Sequence, residues 1–190
     1  LQSKIDTLFL DAPNIQIHSV KMDGEKVSFS QNDKGITLAF SDALSWENSY
    51  TINVDYHCFP RKGLYFIGWN DENNLSRKQI WTQGQGIDNR HWIPHYDEMN
   101  DKLITELIVH FDKDYKVLSN GNLMEKTMEE NLIKWHYKIT NPHPSYLVML
   151  GIGEYDILEK KSERGVPLNL WYYPDWEERV SSAYHLSKEM

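Results

Sequence analysis

Apolar and polar positions alternate along most of this chain. Between residues 50 and 56, Tyr50, Ile52, Val54 and Tyr56 fall at period two, with Thr51, Asn53 and Asp55 between them. That period marks a strand with one buried face. Comparable runs are TLFLDA, IQIHSV, KVSFS, GITLAF and GLYFIGW, then KLITELIVHF, YKVLSN, NLIKWHYKI, YLVMLGIGEYDIL and VPLNLWYY. Turn residues separate them, among them Asp23-Gly24, Asp33 to Gly35 and Asn120-Gly121, which accept positive φ at little cost. Short strands at this spacing predict an all-β fold, an antiparallel β-sandwich or saddle-like domain.

The period changes only at the end. In PDWEERVSSAYHLSKEM, Asp175 precedes Glu178 by three residues, the spacing of a capping box, and Trp176, Val180, Ala183 and Tyr184 share one helical face. A C-terminal helix is expected from Asp175 to Met190, with an apolar stripe that needs a partner. The expected division is a β domain over residues 1–173 and the beginning of a second domain over 174–190.

An apolar fraction of 40% and an aromatic fraction of 13% exclude disorder. The formal charge of -8 repels a phosphate backbone, so nucleic acid is not an expected partner. No apolar run approaches the roughly 20 residues that span a bilayer, so no membrane span is expected. The single Cys58 can neither close an internal disulfide nor build a thiolate zinc site.

Catalytic signals are sparse. A zinc peptidase helix uses His-Glu-x-x-His, because ligands four apart share a face and the glutamate must reach the bound water. None of the eight histidines here is followed by glutamate. His91 and His95 have the spacing, but Pro94 between them opposes a shared helical face. His57 and Cys58, adjacent on a strand, would point to opposite faces, which removes a thiol–imidazole pair. Gly84 and Gly86 lack the third glycine and the helix of a dinucleotide loop. Asn74-Leu75-Ser76 fits a glycosylation acceptor. Exposed together, Tyr65, Trp69 and Trp92 would make a sugar-binding platform; as core aromatics they would not. No catalytic residue and no metal site are expected in this chain.

The stretch WTQGQGIDNRHWIPHYDE, residues 81–98, carries the best remaining candidates. On an extended strand Gln83 and Gln85 would lie on one side, while Gly84 and Gly86 would let a backbone or ligand come close. Two amides supply hydrogen-bond donors and acceptors but no nucleophile or general base near neutral pH. A binding wall and a solvated strand edge both fit that spacing.

A wider set of motifs adds to this. GLYF at 63–66, TQGQ at 82–85, R-x-x-x-P-x-x-D-E from Arg90 to Glu98, Lys102, SNGNL at 119–123 and PHPSYLVMLGIGEY at 142–155 occur in this order. Together they resemble the N-terminal domain of the aminopeptidase N family of zinc metallopeptidases. The resemblance implies an inactive β domain beside a thermolysin-like catalytic domain, with zinc ligands outside this chain and Asp175 onward opening the catalytic domain. It also implies strands ahead of Thr7–Asp11, and hence uncovered surfaces through which the isolated chain would self-associate. Gln83 is matched to the glutamine that lines the first substrate subsite, and Gln85 to the next position in that wall. The implied partners are a peptide with a free N-terminus and the chain's own catalytic domain. Many members carry glutamate at the Gln85 position; this sequence is neutral there, as in the leukotriene hydrolase branch. The histidines and Asp97–Glu98 are expected to fix the strand-to-turn connection. Two alternatives are a non-enzymatic binding or scaffold module of the same fold and a free-standing sugar-binding sandwich.

Overall fold

The computed structural model describes residues 4–73 and 75–188; Asn74 of the glycosylation pattern and the last two residues of the expected helix lie outside the described residues. The first body contains β1 (Lys4–Asp11), β2 (Ile15–Met22), β3 (Glu25–Lys26), β4 (Ser28–Gln31), β5 (Gly35–Ser45) and β6 (Ile52–Cys58). They form two three-stranded antiparallel sheets, ordered β1-β5-β4 and β3-β2-β6. Ala12, Ile15, Ile17, Val20, Ile36 and Leu38 close the core between them. Asp23 and Gly24, with φ of 51° and 93°, turn β2 into β3 with the paired positive φ of a type I′ turn.

β2 carries a bulge in its pairing with β6, between Ile17 and Ser19. The sequence demands it: Ile17 and Val20, three apart, are both buried, and strict alternation would send them to opposite faces. The extra residue leaves His18 exposed and Ser19 half-buried between two inward side chains.

The second body is larger. It adds β7 (Gly63–Ile67), β8 (Gln79–Gln83), β9 (Lys102–Asp112), β10 (Lys116–Ser119), β11 (Asn122–Glu129), β12 (Leu132–Pro144) and β13 (Leu150–Gly153). A four-stranded sheet, β10-β13-β8-β7, faces a three-stranded one, β11-β12-β9. In β9, Leu103, Thr105, Leu107, Val109 and Phe111 turn inward and alternate with exposed residues along the whole strand. Leu64, Ile80, Trp92, Val117, Ile133, Trp135, Tyr137 and Ile152 belong to the shared core. Cys58 packs against both cores, while His57 beside it is exposed, so the two do point apart. Burial pushes the Cys58 thiol pKa up.

A hairpin of β14 (Asp156–Lys161) and β15 (Pro167–Tyr172) follows, then α1 (Glu177–Ala183) between two short 3-10 turns. The expected capping box does not form. Asp175 sits in the 3-10 turn Pro174–Trp176, and its carboxylate instead accepts two bonds of 2.6 Å from the Arg77 guanidinium. A bidentate cation competes effectively with backbone N–H groups for the same oxygens. Arg77 also lies 4.3 Å above the Tyr173 ring. Val180 is buried where α1 meets β15, leaving Trp176 and Tyr184 half-exposed. Among the described residues no helix is long and apolar enough to cross a membrane.

Candidate functional site: a glutamine tip on a buried polar frame

β8 lies between β7 and β13, with Ile80 directed to the core and Trp81 and Gln83 to the opposite face. Trp81 stacks on Tyr65 of β7, centroids 5.0 Å apart and planes 28° from parallel. The next position, Thr82, replaces a backbone rung: its Oγ1 accepts from Leu150 N at 2.9 Å and donates to Leu150 O at 3.4 Å. Gln83 ends the strand, opposite Gly63, and is exposed.

Beyond Gln83 the expected extended strand does not continue. Residues 85–87 form a turn with Gly86 at a φ of 83°, and a 3-10 turn, Asp88–His91, follows. Gly84 is where the chain leaves the strand, and its reason is internal. A Cβ there would fall 2.4 Å from Asn89 Nδ2, so the absent side chain admits Asn89 rather than a ligand. Gln85 is exposed at the turn, one residue outside the strand that holds Gln83. The structure therefore brings both glutamines to one exposed tip, through a turn rather than through strand alternation.

Asn89 holds the tip down. It is 1% exposed; Nδ2 donates to Ser145 O at 2.7 Å and Val148 O at 3.3 Å, and Oδ1 accepts from Trp92 Nε1 at 2.8 Å. The next residue, Arg90, spans two carboxylates. Nη1 lies 2.8 Å from Asp11 Oδ1, Nε donates to Asp97 Oδ2 at 2.8 Å, and Nη2 donates to Asp97 O at 3.1 Å. Asp97 also accepts from Ser145 Oγ at 2.6 Å, and its backbone N–H donates to Asp11 Oδ2 at 3.2 Å. Asp11 and His95 exchange backbone bonds of 2.8 and 3.2 Å, which fastens the end of β1 to this segment.

Burial alone would lift the Asp97 carboxyl pKa. The Ser145 hydroxyl, Arg90 and His95 overcome it and hold the group below the usual carboxylate range. His95 Nδ1 faces the Ile93 carbonyl at 2.7 Å and so must donate; Nε2 lies 3.0 Å from Asp97 Oδ1, an ion-pair distance without hydrogen-bond alignment. His91 lines a separate cleft of about 370 Å³ with Asn14, Phe59, Pro60, Arg61 and Lys62. Burial pushes the His91 pKa down. Glu98, paired with Asp97 in the sequence expectation, is exposed.

The three aromatics of the sugar-platform reading are not together. Trp92 is 7% exposed within the core. Trp69 is half-buried against Phe111 and Tyr115 with its Nε1 on Gln79 O, and Tyr65 stacks on Trp81. Conversely, Asn89 and Ser145 were not singled out by sequence. Their only local signals were a short polar residue beside a glycine-bearing turn and a serine after His-Pro.

The site is thus an antiparallel β domain that carries two exposed amides on a buried polar frame. Residues 1–147 match the Peptidase M1 N-terminal domain family, and the chain belongs to that family. It is 26% identical over 169 residues to a leucyl aminopeptidase of Saccharolobus solfataricus, covering 88% of this chain and 20% of that protein. It is 26% identical over 140 residues to the glutamyl aminopeptidase of Bos taurus, covering 67% of this chain and 15% of that protein. The chain thus spans 15–20% of the length of these relatives. An M1 zinc metallopeptidase from Deinococcus radiodurans superposes with a TM-score of 0.72 at 14% identity, covering 90% of this chain and 39% of that one. A form of that enzyme bound to a Tyr-Ser-Ala substrate gives 0.72 at 16% identity, covering 84% and 37%. At such identities the likeness is one of fold.

Proposed function

We propose that this domain supplies the substrate-facing wall of a zinc-dependent aminopeptidase, with Gln83 and Gln85 meeting the N-terminal end of a bound peptide. The observation that carries the reading is the tip itself: two exposed amides at a strand end and turn whose base is fixed by Asn89, Arg90 and Asp97. A wall that orients a substrate must lose little entropy when it binds, and a tip anchored by buried hydrogen bonds meets that need. Family membership and the aminopeptidase relatives support the enzyme class.

Among the described residues no three His, Cys, Asp or Glu side chains come together to hold a metal. The zinc ligands are assigned to the catalytic domain, and no step through the metal is derived from this chain. Residues 174–190 are taken as the entry to that domain. The wall's own chemistry is neutral. A glutamine carbonyl accepts from an α-ammonium, and its NH2 donates to a peptide carbonyl, with no charge to separate free from blocked termini.

In the enzyme carrying this domain, Gln83→Ala removes a hydrogen bond to a charged group, a loss of about 1.5–3 kcal/mol, or roughly ten- to more than a hundredfold in kcat/KM. Gln85→Glu is expected to raise the preference for free over N-acetylated peptides, because a carboxylate gains a charge-assisted bond only with the cation. Parallel kinetics on both substrate types test this. A Gln83→Ala enzyme within twofold of wild type and an unmoved free-to-blocked ratio for Gln85→Glu would refute the wall.

A further inference from the structure

Two histidines on the outer face of the β3-β2-β6 sheet are in direct contact. His57 of β6 stands opposite Gln16, so His18 is its diagonal neighbour on the same face. His18 is outward by the alternation that runs from Ile15, and the bulge breaks that alternation only after it, at Ser19. His18 Nε2 lies 2.7 Å from His57 Nδ1, with ring centroids 4.8 Å apart and planes tilted by 36°. Phe59, itself exposed, meets the His57 ring edge-on at 5.7 Å.

A ring-nitrogen contact of this length holds a single proton: one nitrogen donates and the other accepts. A tautomer shift in the donor ring moves that proton to its far nitrogen, leaving two lone pairs on adjacent nitrogens with no net proton loss. We propose that His18 and His57 form a two-imidazole site for a divalent transition ion of the Cu²⁺ or Ni²⁺ class.

Donor type and spacing together point to the class. With metal–nitrogen bonds of about 2.0–2.1 Å, two nitrogens at a right angle about the ion lie about 2.9 Å apart, and at a tetrahedral angle about 3.3 Å. From 2.7 Å, the right-angle geometry asks for the smaller opening. Adjacent imidazoles at a right angle suit the tetragonal coordination of Cu²⁺ and Ni²⁺, whereas Mg²⁺ and Ca²⁺ prefer oxygen ligands. Both rings are exposed, so water completes the coordination. Cys58 adds no ligand, because its thiol turns inward and donates to Trp92 O at 3.9 Å.

The test titrates the 190-residue chain with Cu²⁺, by calorimetry for affinity and by electron paramagnetic resonance for the donor atoms. The first equivalent is expected to show coupling to two imidazole nitrogens. His18→Gln and His57→Gln should each weaken it about tenfold or more, the effect of losing an intramolecular second ligand. A His110→Gln/His136→Gln double variant is the control. Those two rings face Glu129 and Glu106 at 3.2 and 2.6 Å, and their loss should leave the first equivalent unchanged. A first equivalent bound equally well by the His18→Gln and His57→Gln variants, or one abolished in the control, overturns the site.

Discussion

Truncating Asn89 tests whether the glutamine tip stands on a buried frame. Asn89→Ala strands the Trp92 indole N–H and frees the Ser145 and Val148 carbonyls inside the protein. A buried group left without its partner costs about 1–3 kcal/mol, and the 3.3 Å bond to Val148 is the weakest of the three. Two strong losses together give about 2–6 kcal/mol, of which the lower half is usual for a single substitution. Gly84→Ala approaches the same spot from the opposite side. Its new Cβ would sit 2.4–2.5 Å from Nδ2, Cγ and Oδ1 of an amide that three bonds hold still. Overpacking of that kind costs about 1–3 kcal/mol. In the Asn89→Ala background the obstruction is gone and the added methyl fills the space the amide left. The double variant should therefore be no less stable than Asn89→Ala alone, a coupling of about 1–3 kcal/mol. Urea denaturation followed by tryptophan fluorescence measures it. At an m-value of about 1–3 kcal/mol per molar, a loss near 3 kcal/mol moves the midpoint by roughly 1–3 M. Additive losses in the double variant would refute the account of Gly84 and Asn89.

Two further outcomes follow from the polar contacts. The Asp97 pKa is lower in the folded state than in the unfolded one, so its stabilisation is present above the ordinary carboxylate pKa of about 4 and is lost as pH falls through the lower folded value. Asp97→Asn should lower stability at neutral pH yet flatten its decline in acid, as read from urea midpoints between about pH 2 and 5. Arg77→Ala should release the terminal segment, so that amide hydrogen exchange quickens in α1 and the preceding 3-10 turn. Exchange in β8 and β13 should stay unchanged.

Most of the longer strands were legible because each buries one face; β11, exposed at all eight positions, has no such period to mark it. Even the β2 bulge leaves a trace, since Ile17 and Val20 stand three apart among otherwise alternating residues. The tip was legible only in part. Gln83 and Gln85 were named, but their geometry depends on the Asn89 amide filling the space a Cβ at Gly84 would take, a fit that no local period encodes. Asp97 was named beside Arg90 and the histidines of its own motif, but its partners Asp11 and Ser145 lie 86 and 48 residues away, beyond any local pattern. The capping box failed for a similar reason. Its carboxylate was claimed by Arg77, 98 residues away, and local spacing has no view of such a competitor.

The division of labour within residues 83–90 bears on how such a domain changes over generations. The residues that fix the turn, Asn89 and Arg90, turn inward and bond to main-chain carbonyls and to the side chains of Trp92, Asp97 and Asp11, whereas Gln83 and Gln85 are exposed. Substitutions at surface positions away from packed or bonded groups usually shift stability by less than about 0.5 kcal/mol. A lineage can therefore exchange amide for carboxylate at position 85, or retune position 83, without drawing on the stability reserve that limits most substitutions. The chemistry of the exposed tip can drift while the scaffold that presents it stays fixed.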